Sequence, residues 1–152
     1  MSVNRRVFGR RVVLMAGMSA AALSVAGCVP ATRGRFVASH TLDSALASAE
    51  RMYAGYAAAI EAGSGGTATL EMVRDNHTAH IEALRRILGR DEPESVETPD
   101  ASLDALIEAE KEAAEIAADA CVGAAPQYAV LLGEIAASRN CHVAVLREIH
   151  KG

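Results

Sequence analysis

Five histidines occur in the 152-residue chain, and three of them stand where a helix would place apolar side chains. Around the segment Asp75-Asn76-His77-Thr78-Ala79-His80-Ile81-Glu82-Ala83-Leu84, the residues Leu70, Val73, His77, His80, Leu84 and Ile87 follow one another at steps of 3, 4, 3, 4 and 3. That alternation is the buried seam of a packed helix, here with imidazoles at two successive positions. Glu110 falls in a similar series, Leu103, Ile107, Glu110, Ala114, Ala117 and Cys121, and His142 in another, Tyr128, Leu131, Ile135, Ser138, His142, Val145 and Ile149. Neutral imidazole nitrogens and carboxylate oxygens are the donors that borderline divalent metals prefer. The same groups can also satisfy one another, forming a polar layer that fixes helix register without any ion.

A helical hairpin pairs positions equidistant from its turn, which allows these residues to be aligned by level. Around Ser64 and Gly65, His80 faces the level of residue 49, with Glu50 beside it. Around Ala124 and Ala125, His142 faces the level of Ile107 and Glu108, with Glu110 within one turn. If the helices alternate in direction, His80 is also level with Glu110. The expected site is therefore His77, His80, Glu110 and His142, with Glu50 at its edge. One transition-metal ion (Fe, Zn, Mn or Cu) is the expected cofactor, with a metal-free layer as the alternative. Arg139 sets a cation beside this layer unless it turns to solvent or bonds an acid of the linker. His40 and His150 lie at element ends and are expected in solvent.

The elements that must position these groups are all helical. The chain is 51% hydrophobic but only 3% aromatic, has no Trp, and is rich in alanine, the best helix former. A first helix from Thr41 carries Leu42, Leu46, Ala49, Tyr53, Tyr56 and Ile60 and ends at Gly63-Ser64-Gly65-Gly66. The second runs to Gly89. Arg90 to Pro99, with four acids and two prolines, is a solvated linker. Asp100 or Ser102 can cap the third helix, Gly123 ends it, and Pro126 suits the first turn of the fourth. The expectation is an all-α, antiparallel four-helix bundle over residues 39–152. The linker permits either a long crossover or a loose loop in an up-down-up-down bundle. Cys121 and Cys141 would lie about 20 Å apart along the third and fourth helices at 1.5 Å per residue, too far for a disulfide. They are expected as free, mostly buried thiols.

The first 27 residues read as an export signal. Arg5, Arg6, Arg10 and Arg11 precede an uncharged run from Val12 to Gly27 that is rich in Gly, Ala and Ser. Arg5-Arg6 followed two places later by Phe8 resembles the twin-arginine motif, with Asn4 in place of the usual Ser or Thr. Val25-Ala26-Gly27-Cys28 resembles a bacterial lipobox, in which the Cys28 thiol takes the lipid and becomes the new N-terminus. Residues 28–38 would be a tether. The expected location is extracytoplasmic, on the outer face of the cell membrane, with the membrane as a partner through lipidated Cys28. The mature part keeps 11 Lys and Arg against 19 Asp and Glu, a formal charge of −8. That argues against nucleic acid, which needs a basic face. A protein partner or a second copy of the chain remains open.

A helical bundle with histidines inside its second and fourth helices resembles the ferritin-like superfamily. Segments such as HTAHIEALRRIL and LLGEIAASRNCHVAVL look like those of uncharacterised actinobacterial ferritin-like envelope proteins, over about residues 38–150. In di-iron members of such bundles, two helices each supply a Glu and two supply Glu-x-x-His. By that resemblance Glu50 stands for the first-helix Glu, Glu108 or Glu110 for the third-helix Glu, and His80 and His142 for the two histidines. The sequence departs from the pattern at two places. His77 stands three residues before His80 and Arg139 three before His142, where carboxylates belong. An iron oxidase is therefore not the expected activity. The leading expectation is a lipid-anchored ferritin-like protein binding a single transition metal in its core. The alternative is a structural or protein-interaction lipoprotein with a vestigial, metal-free site, and a third is a redox enzyme with a degenerate di-metal centre.

Overall fold

The computed structural model describes residues 31–91 and 97–151, with side chains from residue 40 onward. Arg5, Arg6 and Cys28, and with them the export and lipidation expectations, lie outside the described residues. Four helices and no strand occur among those described: α1 (Ala31–Glu61), α2 (Thr67–Leu88), α3 (Leu103–Gly123) and α4 (Pro126–Lys151). The helix termini follow the local chemistry. Gly66 and Gly89 flank α2 in the left-handed region, at φ 63° and 65°, where a side chain would be strained. Ser102 caps α3 by accepting a hydrogen bond from the Ala105 N–H at 3.3 Å, while Asp100 accepts from the Ser102 N–H at 2.8 Å. Pro126 opens α4, where the absence of an N–H costs nothing. One boundary differs from expectation: α1 begins at Ala31 rather than Thr41, so residues 31–38 are helical rather than an irregular tether.

Packing is mainly within two hairpins, α1 on α2 and α3 on α4. Narrower contacts join α1 to α3 and α2 to α4. Two apolar clusters fill the interior. One gathers Leu42, Leu46, Leu84, Ala117, Leu132 and Ile135. The other gathers Met52, Tyr56, Leu70, Leu106, Val143 and Leu146. Leu88, the end of α2, packs on the first cluster, and Leu103, the start of α3, packs on the second. The chain between them therefore passes from one end of the helix set to the other. At about 3.3 Å per residue the 14 residues from Gly89 to Ser102 reach about 46 Å, enough to run beside a 22-residue helix of about 33 Å. The seat of its far end is built by glycine: Pro99 and Leu106 approach Gly55 so closely that a Cβ there would lie 2.9 Å from Pro99. Likewise, a Cβ on Gly66 would lie 2.9 Å from Ile149, which brings the start of α2 against the end of α4.

The buried faces agree with the expected stripe in α3 and correct it in the others. Ile107, Glu110, Ala114 and Ala117 are all buried. In α1, Met52 is buried and Tyr53 is 41% exposed. In α2, Ile81 takes the core position expected for His80, which is half-buried, and Ile87 is 41% exposed. In α4, the buried series is Leu132, Ile135, Arg139, His142 and Leu146, so Arg139 replaces Ser138 and Leu146 replaces Val145. A straight helix has 3.6 residues per turn, so a strict 3.5-residue series drifts off its face within a few turns. Cys121 and Cys141 are free. Cys121 is half-buried and donates to the Ala129 carbonyl at 3.1 Å, but Cys141 is exposed, one position around the helix from His142. Among the described residues α4 is the one helix long and apolar enough to cross a membrane; its buried face is engaged by the other helices.

Candidate metal centre

Between the two apolar clusters lies a polar layer with Glu110 at its middle, fully buried on α3. A buried carboxylate needs partners for both oxygens, and the other three helices supply them. Oε1 accepts from Tyr56 Oη of α1 at 2.9 Å, from His77 Nε2 of α2 at 2.6 Å and from His142 Nδ1 of α4 at 3.0 Å. Oε2 accepts from Arg139 Nη1 of α4 at 3.3 Å. Burial alone would raise the Glu110 carboxyl. The hydrogen bonds from His142 and His77 and the charge of Arg139 outweigh it and hold the group well below the usual carboxylate range.

These contacts fix the protons on both imidazoles. A carboxylate only accepts, so His77 carries its hydrogen on Nε2 and His142 on Nδ1. His142 Nε2 is then an acceptor, met by Asn76 Nδ2 at 3.2 Å and Ser138 Oγ at 3.1 Å. His77 Nδ1 is left as a buried lone pair with no hydrogen-bond partner. Burial lowers the His77 pKa, against the opposing pull of Glu110. His80 stacks edge-on to His77 with ring centroids 5.7 Å apart, and its Nδ1 is buried and unpartnered too. Burial, then the charges of His77, Arg139 and His142, push its pKa down to about 4. Tyr56 is raised by burial and by the Glu110 charge, so it stays a neutral donor.

The expected site residues thus divide. His77, Glu110 and His142 converge, with one ligand atom of each within 4.8 Å of the others, and all three are buried. This cluster can hold a metal ion. His80 adjoins it through His77 without belonging to it. Glu50 is buried but engaged elsewhere, accepting from Arg85 at 2.6 Å. Two contacts of Glu110 were missing from the sequence reading. Tyr56 reads as an apolar stripe residue, and its hydroxyl shows its use only when Glu110 is opposite. The sequence sets Arg139 beside the layer unless it turns to solvent or a linker acid, and does not pair it with Glu110; it is 1% exposed and makes that pair. Its spacing of 4 from Ile135 and 3 from His142 carried the signal. His150 is half-exposed near Asp104, and Glu108, Glu112, Glu115 and Asp119 face solvent.

The donor set fits a divalent ion in part. Two nitrogens and one oxygen suit zinc, iron, manganese or copper, and coordination needs only that each ring move its proton to the other nitrogen. His142 Nε2–H would then find Ser138 Oγ or the Asn76 carbonyl oxygen after an amide flip, the orienting contact that metal-bound histidines usually have. His77 Nδ1 can take the proton but has no such partner. Arg139 opposes the ion: with Glu110 it makes the layer neutral, so a divalent ion adds two uncompensated charges. Compared with family models, curated proteins and solved structures, the chain shows no significant match.

Proposed function

We propose that the protein is an exported, lipid-anchored, ferritin-like four-helix bundle that holds one divalent transition-metal ion between His77 Nε2, Glu110 Oε1 and His142 Nδ1. The observation that carries the site is the convergence of one ligand atom each from His77, Glu110 and His142, on α2, α3 and α4, within 4.8 Å in a buried layer. Two hairpins joined by an end-to-end connection support the ferritin-like arrangement. Export and anchoring rest on Arg5, Arg6 and the Val25-Ala26-Gly27-Cys28 box alone. A bound ion would supply Lewis acidity and a fixed cross-link among three helices. The chain's residues would orient it through Asn76 and Ser138 and exclude water around it. No turnover is assigned: Arg139 stands where a second metal's carboxylate would be needed.

Metal analysis of the protein purified from its native envelope tests this reading. About one Fe, Zn, Mn or Cu per chain is expected, lost in His77→Ala and in His142→Ala but kept in Glu50→Gln. Metal retained in both histidine variants would place it elsewhere. Cys28→Ala should release the protein from the membrane fraction.

One observation favours a second reading, a structural or interaction lipoprotein with a metal-free layer. Arg139 already neutralises Glu110, and both carboxylate oxygens are hydrogen-bonded without an ion. Protein from the native envelope with no metal, and with unchanged thermal stability after chelation, would favour it.

A further inference from the structure

His77, Glu110 and His142 are all buried, so any route to them from solvent runs between helices. The hairpin pairs α1–α2 and α3–α4 pack along broad fronts, whereas α1–α3 and α2–α4 meet along narrow ones. The two narrow seams differ in charge. Arg139 walls the inner end of the α1–α3 seam, and Arg51 lines it from the exposed side. Two guanidiniums along one path repel a cation.

The α2–α4 seam is lined instead by neutral donor atoms. Late α2 packs with early α4 in the first apolar cluster, and early α2 with late α4 in the second. Asn76 meets His142 Nε2 at 3.2 Å across this seam. His80, one turn beyond Asn76, is therefore level with Ser138, one turn before His142, and Ser138 Oγ also meets His142 Nε2, at 3.1 Å. Exposure falls stepwise inward: Asn76 is exposed, His80 and Ser138 are half-buried, and His77 and His142 are buried.

His80 is the member of this series with no structural task. Neither of its ring nitrogens makes a hydrogen bond, and Nδ1 is buried, an arrangement that costs stability. The ring lies edge-on to His77, with centroids 5.7 Å apart, and a neutral imidazole always keeps one lone pair free.

We propose that His80 is the capture ligand of the buried centre: it takes a divalent transition-metal ion at the α2–α4 seam and passes it inward to His77, Glu110 and His142. This rests on the metal reading of that cluster. His80 touches the ion only in transit, so it lowers the barrier between solvent and site and leaves the affinity of the site unchanged. Its effect falls equally on entry and exit.

Stopped-flow mixing of the metal-free full chain with Co(II), read by the visible absorption of the bound ion, measures entry, and transfer from the loaded chain to excess EDTA measures exit. One cobalt per chain is expected in the unaltered protein and in His80→Gln, with equal affinity. Both rates should fall about tenfold or more in His80→Gln. His80→Asp keeps a donor atom at the seam and should restore most of the rate. Arg51→Gln, in the other seam, should leave entry unchanged. Rates in His80→Gln equal to those of the unaltered chain, no recovery in His80→Asp, or faster entry in Arg51→Gln would each overturn the route. Lost affinity in His80→Gln would overturn it too, by making His80 a ligand of the resting site. An unaltered chain that binds no cobalt would fail at the buried cluster itself and overturn both readings.

Discussion

The cluster around Leu84 and the layer around Glu110 are built from the same helices and buried to the same degree, yet they are held in different ways. Around Leu84 the side chains are aliphatic, and any well-packed neighbour of similar volume would serve nearly as well. Around Glu110 every contact depends on which atom carries a proton and where a charge sits. Apolar packing tolerates exchange and ignores pH. The polar layer tolerates neither, and so it is the part of the interior that fixes which helix faces which.

Acid should separate the two most strongly. His80 keeps its neutral form down to about pH 4 in the fold, and the His77 pKa is lowered in the same direction. Unfolded histidines take up protons near pH 6.5, so the unfolded state gains protons first and stability falls as pH drops below that value. Glu110 acts in the same sense. Its stabilisation is complete above the ordinary value of 4.5 and is lost as pH falls towards its depressed folded value. The midpoint of thermal unfolding, followed by circular dichroism, should be level above pH 7, decline from about pH 6.5 and collapse near pH 4. A profile flat to pH 4 would mean that the layer contributes little.

At neutral pH, Glu110→Ala should be the most costly single change, about 3–5 kcal/mol by urea unfolding, because it strands the Arg139 cation in the core. Adding Arg139→Met should restore about half of that loss, since the cost belongs to the unpaired charge. Leu84→Ala should cost about 2–5 kcal/mol as a cavity, by the same amount at pH 7.5 and pH 5.5. Tyr56→Phe should cost least, towards the lower end of about 1.5–3 kcal/mol, because it removes one donor while the carboxylate keeps three others. If the Leu84 variant proved as pH-sensitive as the Tyr56 variant, the division into two kinds of interior would fail.

How much of this was legible in the sequence depended on the residue types involved. Helix ends marked by glycine, proline and serine were readable, because those residues act through their own backbones. The face of α3 was readable because its stripe holds one polar residue among small and aliphatic ones. The face of α4 was not. Tyr128, Leu131, Ile135, Ser138 and Leu132, Ile135, Arg139, His142, Leu146 are both acceptable helical series, and a preference for small over charged residues selects the wrong one. Arg139 is inside because an anion is waiting there, a reason that resides on another helix. The same holds in α2, where Ile81 displaced His80 by a single position. Glu50 was placed near the site by counting from the turn. Arg85, one turn beyond His80, claims it instead.

The end-to-end run of chain between Leu88 and Leu103 divides the protein into two hairpins of nearly local contacts, and the Glu110 network respects neither half. Residues 31–91 own Tyr56 and His77; residues 97–151 own Glu110, Arg139 and His142. Each hairpin alone would carry an incomplete set of donors and acceptors, so the network forms only when the halves dock in register. A nick in the connection would leave two pieces that adhere through the two apolar clusters, which both span them, and find their register through a shared proton-bearing interior, so mild acid should weaken their reassembly.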